Sequence, residues 1–290
     1  MDSIIPQLIV NSIIAGSIYS LVALGFNLIF GTTKFFNLTH GVIAAIGGYT
    51  VFLLGKKLGI DIYLAIFIAI IVCGFVGWLT EVFLYRPLRN KKASAMVLLV
   101  ASLGLFTAMQ AVIAIFFTSQ FQTLSNNFGS TKIYEFFGGI ITEVQLYILI
   151  ASFVIMIGLA LMMKFTKFGK AIKAVSDNED VAKIVGINTN KIVGKVFFIG
   201  SAIAGVAGIA IGFDTGIEPT MGMNLLLKGV IAAIVGGVGN VYGGFIGAFF
   251  LAFVENFGIW KISGEWKDAI AFLVLILFLI FRPGGILNKK

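Results

Sequence analysis

The chain has few of the side chains from which disulfides, metal sites and catalytic clusters are built. Its 290 residues include one cysteine, Cys73, and one histidine, His40. A single cysteine excludes a disulfide within the chain, and a single histidine excludes a multi-histidine metal site within one chain. Only 13 residues are acidic, which leaves little material for a catalytic constellation. We therefore expect no enzyme activity, no metal and no cofactor bound to this chain.

Charge is also scarce, while apolar residues are abundant. Charged residues make up 12% of the chain, against about 25% in soluble domains. Hydrophobic residues make up 59%, and the mean hydropathy is +1.05. A water-soluble fold of this length could not bury so much apolar surface. The composition indicates an integral membrane protein and excludes a cytosolic enzyme, a secreted disulfide scaffold and a disordered chain.

The apolar runs are long enough to cross a bilayer, which requires about 20 mostly apolar residues per helix. The segments 40–56 and 223–238 are short and contain glycine, so eight spans remain possible beside nine. The sequence predicts an all-α polytopic transmembrane helical bundle of 8–9 spans, forming a single transmembrane domain over residues 1–290. The nine candidate spans are 8–30, 40–56, 62–84, 95–117, 145–164, 191–213, 223–238, 243–260 and 265–281.

The basic residues predict the orientation, because lysine and arginine are enriched in cytoplasmic loops. With nine spans and the N-terminus outside, fifteen of the 21 basic residues fall in cytoplasmic segments. The six counted outside are Lys56, Lys57, Lys132, Lys228, Lys261 and Lys267. The loops 86–92 and 164–195 and the C-terminus are then cytoplasmic. The net charge of +8 is thus a topological signal. No basic stretch is interleaved with exposed aromatic residues, so we expect no nucleic acid partner.

The cytoplasmic loop 164–195 is too polar to lie in lipid and too organised to be a passive linker. Residues 177–180 offer N-cap and helix-dipole chemistry, and Gly186 suits the left-handed position that ends a helix. Between them, Val181, Ile184 and Val185 form a small apolar ridge. The spacing alone leaves two interpretations open, a helix that docks into a groove of a partner and an amphipathic helix on the lipid surface.

Six segments give the chain its resemblance to a known family, and they follow one another over nearly its whole length. They are 16–25 (GSIYSLVALG), 36–41 (FNLTHG), 85–89 (YRPLR), 169–188, 236–244 (GGVGNVYGG) and 281–287 (FRPGGIL). Taken in order, they are similar to the LivH-type permease of branched-chain amino-acid ABC importers. The resemblance implies translocation of leucine, isoleucine or valine across the inner or plasma membrane.

The resemblance also implies partners. These are two cytoplasmic ATP-binding subunits that hold ATP and magnesium, a sister permease or second copy, an external substrate-binding protein, and the surrounding lipid bilayer. In the family, the loop matching 169–186 couples the permease to the ATPase. Independently, the sequence contains no G-x-x-x-x-G-K-[ST] phosphate loop, so another chain would hydrolyse ATP. The residues assigned to coupling are Gly169, Asp177, Asn178, Glu179, Asp180, Val181, Ala182, Ile184, Val185 and Gly186.

Polar residues within the spans are candidates for a substrate path, because exposure to lipid disfavours them. Asn37 could instead cap the following helix, and Ser102 and Gln110 could join helices. Glu255 and Asn256 lie deeper in a span, so we rank them higher than the others. The path candidates are Asn27, Asn37, Ser102, Gln110, Asn224, Glu255 and Asn256.

His40, Glu81 and the glycines give three further structural expectations. His40 is expected to hydrogen-bond at the cytoplasmic interface, and Glu81 is interpreted as an interfacial charge beside Arg86. The chain has 35 glycines. Those at 208 and 212, and at 239, 243 and 247, recur every fourth residue, a spacing that lets helices approach closely.

A stand-alone secondary transporter or channel for small amino acids, amides or urea is the main alternative. It would work without an ATPase, using an ion gradient. The sequence shows no conspicuous pair of intramembrane acids to support it. The sequence leaves open which amino acid or amide is carried, and whether the permease pairs with a copy of itself or with a sister chain.

Overall fold

The computed structural model describes residues 4–124, 132–136 and 138–287. Lys289 and Lys290, which the orientation argument assigns to the cytoplasm, lie outside the described residues. The helices are α1 Ile4–Thr33, α2 Thr39–Val51, α3 Ile62–Thr80, α4 Arg86–Asn90, α5 Ala95–Phe117, α6 Glu143–Phe165, α7 Lys167–Asp177, α8 Glu179–Ile184, α9 Thr189–Asp214, α10 Met221–Gly236, α11 Val241–Gly258 and α12 Lys267–Phe281. π-Helical turns at Phe52–Lys57 and Glu81–Tyr85 prolong α2 and α3, and a 3-10 turn at Gly264–Trp266 precedes α12.

Each of the nine predicted apolar segments coincides with a helix, which confirms a polytopic helical membrane fold. By length and composition, six helices of the described chain could span a membrane. Helices α2, α10 and α12 are shorter, and the total of eight or nine crossings stays a prediction. The spanning helices are Ile4–Thr33, Ile62–Asn90, Ala95–Phe117, Glu143–Phe165, Thr189–Asp214 and Val241–Gly258.

A short β-hairpin is an element that the sequence did not predict. Strands β1 (Ile133–Phe136) and β2 (Gly139–Thr142) pair antiparallel, with Ile133 opposite Thr142. Thr142 also begins α6, because its hydroxyl accepts a hydrogen bond from the backbone N–H of Gln145 and the Gln145 side chain accepts one in return. This reciprocal capping joins the hairpin directly to a membrane helix.

Helices α1 and α9 form the centre of the bundle. In their most apolar windows, 83% of α1 and 72% of α9 is buried, against 28% of α3, 22% of α5 and 17% of α6. The peripheral helices expose large apolar side chains such as Phe67, Ile115 and Phe116. Such exposure suits a surface that contacts lipid, since hydrocarbon does not penalise it.

Glycines let the central helices approach backbone to backbone. A Cβ atom placed on Gly25 of α1 would lie 2.6 Å from the carbonyl oxygen of Gly200 in α9. On Gly47 of α2 it would lie 2.5 Å from that of Gly205, also in α9. Real Cβ atoms do not come so close to backbone, so these crossings exclude any side chain. Small residues at crossings are typical of membrane helix packing.

The predicted small-residue spacing is part of this packing. Gly208 of α9 faces the carbonyl group of Ala44 in α2, and Gly243 of α11 faces Gly236 of α10. Gly239 differs, because it lies in the turn between α10 and α11 with a φ of +82°, the left-handed region that favours glycine.

The bundle has two distinct ends, which we call the loop end and the hairpin end. At the loop end, the Ser176 hydroxyl of α7 donates a hydrogen bond to the Gly31 carbonyl near the end of α1, at 2.7 Å. At the hairpin end, the Gln7 side chain accepts from the backbone N–H of Ile140 at 2.7 Å. Gln145 donates to Asp214 at 2.9 Å, so α6 begins where α9 ends.

The close glycine contacts predict that a methyl group added at a helix crossing destabilises the fold. Gly208→Ala would drive a methyl group into the Ala44 carbonyl, and we expect it to lower the free energy of unfolding by about 1–3 kcal/mol. The measurement is the unfolding midpoint of the purified chain in detergent. Gly158→Ala is the matched control, because its added Cβ would meet nothing within 4 Å. Equal midpoints for the two variants would contradict the packing argument.

Candidate coupling surface and translocation cavities

The predicted capped helix in the cytoplasmic loop is present as α8. The Asn178 side chain caps it by accepting hydrogen bonds from the N–H groups of Asp180 and Val181, each at 3.0 Å. Gly186 ends it with a φ of +86°. The Ile187 N–H then donates to the Ala182 carbonyl at 2.9 Å. A favoured cap at one end and a left-handed glycine at the other fix this six-residue helix.

The two faces of α8 have opposite environments. Val181, Ile184 and Val185 are exposed to 53%, 83% and 68%, so the predicted apolar ridge faces outward. Ala182 is 2% exposed and packs in the same core cluster as Val175 of α7. Ala182 thus anchors the helix, and the three exposed residues are the ones free to contact a partner.

The remaining coupling residues also divide into buried and exposed ones. Gly169 is buried, with Met162 and Met163 at the end of α6 so close that a side chain would collide. Asp177 and Asp180 are exposed. The Glu179 carboxylate, hydrogen-bonded to Lys183, raises the pKa of that lysine. Lys183 and Glu179 are 3.0 Å apart in this pair.

An ionic cluster joins α8 to the transmembrane helices. Arg89 of α4 contacts Glu179 at 3.9 Å and Glu81, at the end of α3, at 2.5 Å. Arg89 also lies 3.5 Å from the side-chain oxygen of Asn190 at the start of α9. A movement of α8 is therefore linked through one guanidinium to two membrane helices.

Glu81 is not the interfacial charge that the sequence predicted. Its side chain is fully buried, and its main partner is Arg89, with Arg86 farther away at 3.8 Å. The π-helical turn Glu81–Tyr85 separates Glu81 from Arg86, and Arg89 of α4 approaches the carboxylate more closely than Arg86 does. Burial with a charged partner makes Glu81 part of the loop-end framework.

Asn27 holds a turn of the backbone at the loop end. Its amide nitrogen donates to the Asn240 carbonyl at 3.0 Å, and its oxygen accepts from the Gly239 N–H at 2.9 Å. Ser176 and Lys173 of α7 line a cavity of about 240 Å³ beside this turn. Asn27 thus fixes the link between α10 and α11 next to the coupling loop.

Asn37 and Ser102 bind backbone groups at the start of α2. Asn37 does so in the manner of a cap and Ser102 as a link between α5 and α2, as the alternative for each expects. The Asn37 oxygen accepts from the Thr39 N–H at 3.1 Å and from the Tyr85 hydroxyl at 2.9 Å. The Ser102 hydroxyl accepts from the Leu38 N–H at 3.1 Å. Gln110 lies half-buried farther along α5, away from these contacts.

Two adjacent cavities open at the hairpin end, between α1, α9, α10 and α11. Their volumes are about 280 Å³ and 360 Å³, and both are lined by Tyr19, Ile211 and Thr215. Asn256 lines the first and Asn224 the second. The structure thus places these two path candidates close together.

A network of opposite charges lies behind these cavities. The Lys228 ammonium contacts Glu255 at 2.6 Å and Asp268 at 2.8 Å. The Tyr19 hydroxyl donates to the other Glu255 oxygen at 2.9 Å, and Lys267 approaches that oxygen at 4.0 Å. Glu255 is fully buried and Lys228 is 8% exposed.

Sequence reasoning missed Lys228 because it was counted among the outer basic residues. The structure places it inside α10, where its partner Glu255 belongs to α11. The available signal was a basic residue in one predicted span and an acidic residue in the next, since opposite charges inside a membrane bundle pair with one another.

Comparison with known proteins identifies the family. The family model described as "Branched-chain amino acid transport system / permease component" matches residues 8–279. The chain belongs to this permease family. The high-affinity branched-chain amino acid transport system permease protein LivH of Salmonella typhimurium is 33% identical to it, over 98% of this chain and 95% of that protein. BraD of Pseudomonas aeruginosa, named for the same kind of transport system, is 32% identical over the same shares.

The permease also resembles one solved structure in its fold. PsaBC from Streptococcus pneumoniae in complex with Fab gives a TM-score of 0.50 over 96% of this chain and 91% of that one. The sequence identity is 11%, so this likeness concerns the fold alone.

The interior of the permease holds polar groups without partners where α2 and α9 contact their neighbours. His40 packs against Gly25 of α1, Ser201 against Gly77 of α3, and Tyr49 against α5. Among the described residues, neither ring nitrogen of His40, nor the Tyr49 hydroxyl, nor the Ser201 hydroxyl makes a hydrogen bond of good geometry. His40 is fully buried, so the expected hydrogen bond at the interface is not formed. Each unpaired buried polar group costs about 1–3 kcal/mol. Water entering between these helices would satisfy such groups.

The contacts of Arg89 predict that the stability of the permease depends strongly on its pairing with Glu81. Arg89→Met leaves the Glu81 carboxylate buried without its main counter-ion, and we expect the permease to lose about 3–5 kcal/mol of stability. The double variant Arg89→Met with Glu81→Gln removes both charges and should recover most of that loss. Unfolding midpoints in detergent measure both effects.

The control for this experiment is Lys91→Met, which removes an exposed charge two residues away. It should leave the midpoint unchanged. A double variant no more stable than Arg89→Met alone would show that Glu81 does not need this partner.

Proposed function

We propose that this chain is the permease subunit of an ABC importer that carries leucine, isoleucine or valine across the cytoplasmic membrane. The relatives named LivH and BraD support the substrate class. The observation that carries the proposal is the exposed apolar ridge of α8, held rigidly at the loop end. ATP hydrolysis on partner subunits supplies the energy.

The ridge has the properties of a docking element. Its three apolar side chains are more than half exposed and lie on a polar loop. The permease itself does not bury them, so a partner is needed to remove them from water. Amphipathic helices of this kind bind in apolar grooves of partners. Two cytoplasmic ATP-binding subunits, one for each permease of a pair, fit this role. A sister permease or second copy and an external substrate-binding protein complete the proposed assembly.

The ionic cluster gives the docking element a mechanical connection. When a partner displaces α8, the contact of Glu179 with Arg89 transmits the displacement to Glu81 of α3 and Asn190 of α9. Helix α9 then reaches the hairpin-end cavities through Ile211. Partner binding shifts the permease between states only if the contacts differ in those states, and α8 provides contacts that depend on the partner.

The hairpin-end cavities and the unpaired groups on α2 and α9 support a route for a zwitterion. A free amino acid cannot enter hydrocarbon without polar partners. The cavities offer Asn224 and Asn256 at one end, while His40 and Ser201 lie deeper in the bundle, against α1 and α3. Movement of α2 and α9 relative to α1 and α3 would join these groups into a wet path.

One observation favours the alternative of a stand-alone transporter, namely the buried Lys228–Glu255 pair. Intramembrane charge pairs occur in ion-coupled transporters. Liposomes that contain only this chain separate the two functions. The importer predicts no uphill leucine uptake under any ion gradient, and the stand-alone transporter predicts uptake.

The docking proposal predicts a loss of coupling from a single surface change. Ile184→Asp places a charge on the most exposed residue of the ridge, and we expect ATP-driven leucine uptake to fall at least about tenfold, since burying an unpaired charge at an interface is costly. Co-purification of the ATP-binding subunits should weaken in parallel. The unfolding midpoint of the permease should stay unchanged, because the side chain contacts little of its own chain.

Two controls separate docking from other effects. Ile184→Met keeps an apolar side chain and should preserve uptake. Lys91→Asp adds negative charge at the same end but outside the α7–α8 loop. Normal uptake and normal co-purification in Ile184→Asp would refute the docking role of α8.

A further inference from the structure

The charge network at the hairpin end has a composition that suits one kind of ligand. Lys228 and Lys267 contribute two positive charges, and Glu255 and Asp268 two negative charges. The four groups balance, and Lys228 and Glu255 are almost entirely withdrawn from solvent. A ligand with a net charge would disturb this balance, whereas a zwitterion would preserve it.

The cavities in front of the network add apolar walls. Ile14 and Ile18 line the first cavity, and Met221 and Leu225 line the second. Lys228 itself lines the second cavity, and Tyr19, which donates to Glu255, lines both. The second cavity has mostly apolar walls with a few polar groups, which is the usual form of a small-molecule site, while the first has polar and apolar walls in similar measure.

We infer that Lys228 and Glu255 form a binding site for the head group of a free amino acid, with its aliphatic side chain in the adjoining cavities. This inference rests on the proposed importer function. The ligand carboxylate would take the place of Glu255 beside Lys228, and the ligand ammonium would contact Glu255. In the structure the two residues neutralise each other, so neither is an unpaired buried charge.

The outer members of the network give the site room to open. Asp268 is 69% exposed and Lys267 35%, so both can be solvated while a ligand enters. Two other acids border the cavities and are already bonded, Asp214 to Gln145 and Glu218 to Thr220. Among the charged residues described around these two cavities, Lys228 and Glu255 alone form a pair that combines burial with both signs of charge.

A purely structural role makes a different prediction. The network also connects α1, α10, α11 and α12, and a buried ion pair could serve that purpose alone. Replacing such a pair with uncharged residues of similar size is often neutral or stabilising. If the pair only joins helices, its replacement should therefore leave transport intact.

The decisive variant is Lys228→Met with Glu255→Gln in the complete transporter, reconstituted in liposomes with its binding protein. We expect it to assemble with the ATP-binding subunits and to unfold at the wild-type midpoint, while uptake of labelled leucine falls at least about tenfold. Lys57→Met and Glu265→Gln, which remove exposed charges at the same end, should leave uptake unchanged. Uptake within twofold of wild type in the double variant overturns the inference.

A second measurement does not depend on that variant. Labelled leucine should bind to the purified wild-type complex without the binding protein. Unlabelled leucine should displace it, whereas 3-methylbutylamine and 4-methylpentanoate, which carry one charge each, should not. Equal displacement by either analogue, or no leucine binding, overturns the inference. If the wild-type complex shows no ATP-driven uptake at all, the proposed importer function fails instead.

Discussion

The fold depends on one constraint, that charged groups inside the membrane bundle must find partners within the chain. Hydrocarbon offers no hydrogen bonds, so an unpaired charge at depth would be very costly. The described chain meets this constraint with two ionic clusters, Glu81 with Arg89 at the loop end and Lys228 with Glu255 at the hairpin end. The two clusters lie at opposite ends of the bundle, one beside the proposed docking helix α8 and the other beside the proposed substrate cavities.

Between these clusters, the helices are held mainly by close backbone contact. Gly47 with Gly205 and Gly25 with Gly200 bring α9 against α2 and α1 without interlocking side chains. Surfaces without protruding side chains can slide over one another with little steric resistance. The same contacts that stabilise the closed arrangement thus allow the small helix shifts on which alternating access depends.

Much of the fold follows from local pattern, while the site depends on pairings that no local pattern contains. The nine apolar runs place nine helices to within a few residues, and the residues from Asn178 to Gly186 predict α8 because caps are short-range features. The β-hairpin was missed because its segment is short and its partner strand adjoins a membrane helix. Lys228 and Glu255 are 27 residues apart, and Tyr19 and Glu255 are 236 apart, so only the packed helices bring them together. Asn27 likewise binds a backbone group of a distant turn, whereas Asn37 binds a backbone group of the neighbouring one.

The polar groups without partners around α2 and α9 are relevant to the proposed transport cycle. At both ends the charges are paired, so those regions are stable as they stand. His40, packed against α1, Ser201, packed against α3, and Tyr49, packed against α5, are instead buried without hydrogen-bond partners of good geometry among the described residues. Water admitted to these contacts would recover the hydrogen bonds, and this gain would offset part of the lost helix packing. Since α9 begins at the Arg89 cluster and borders the hairpin-end cavities, the contacts of α2 and α9 with their neighbours are the ones that the proposed importer would loosen to connect the docking surface with the route through the membrane.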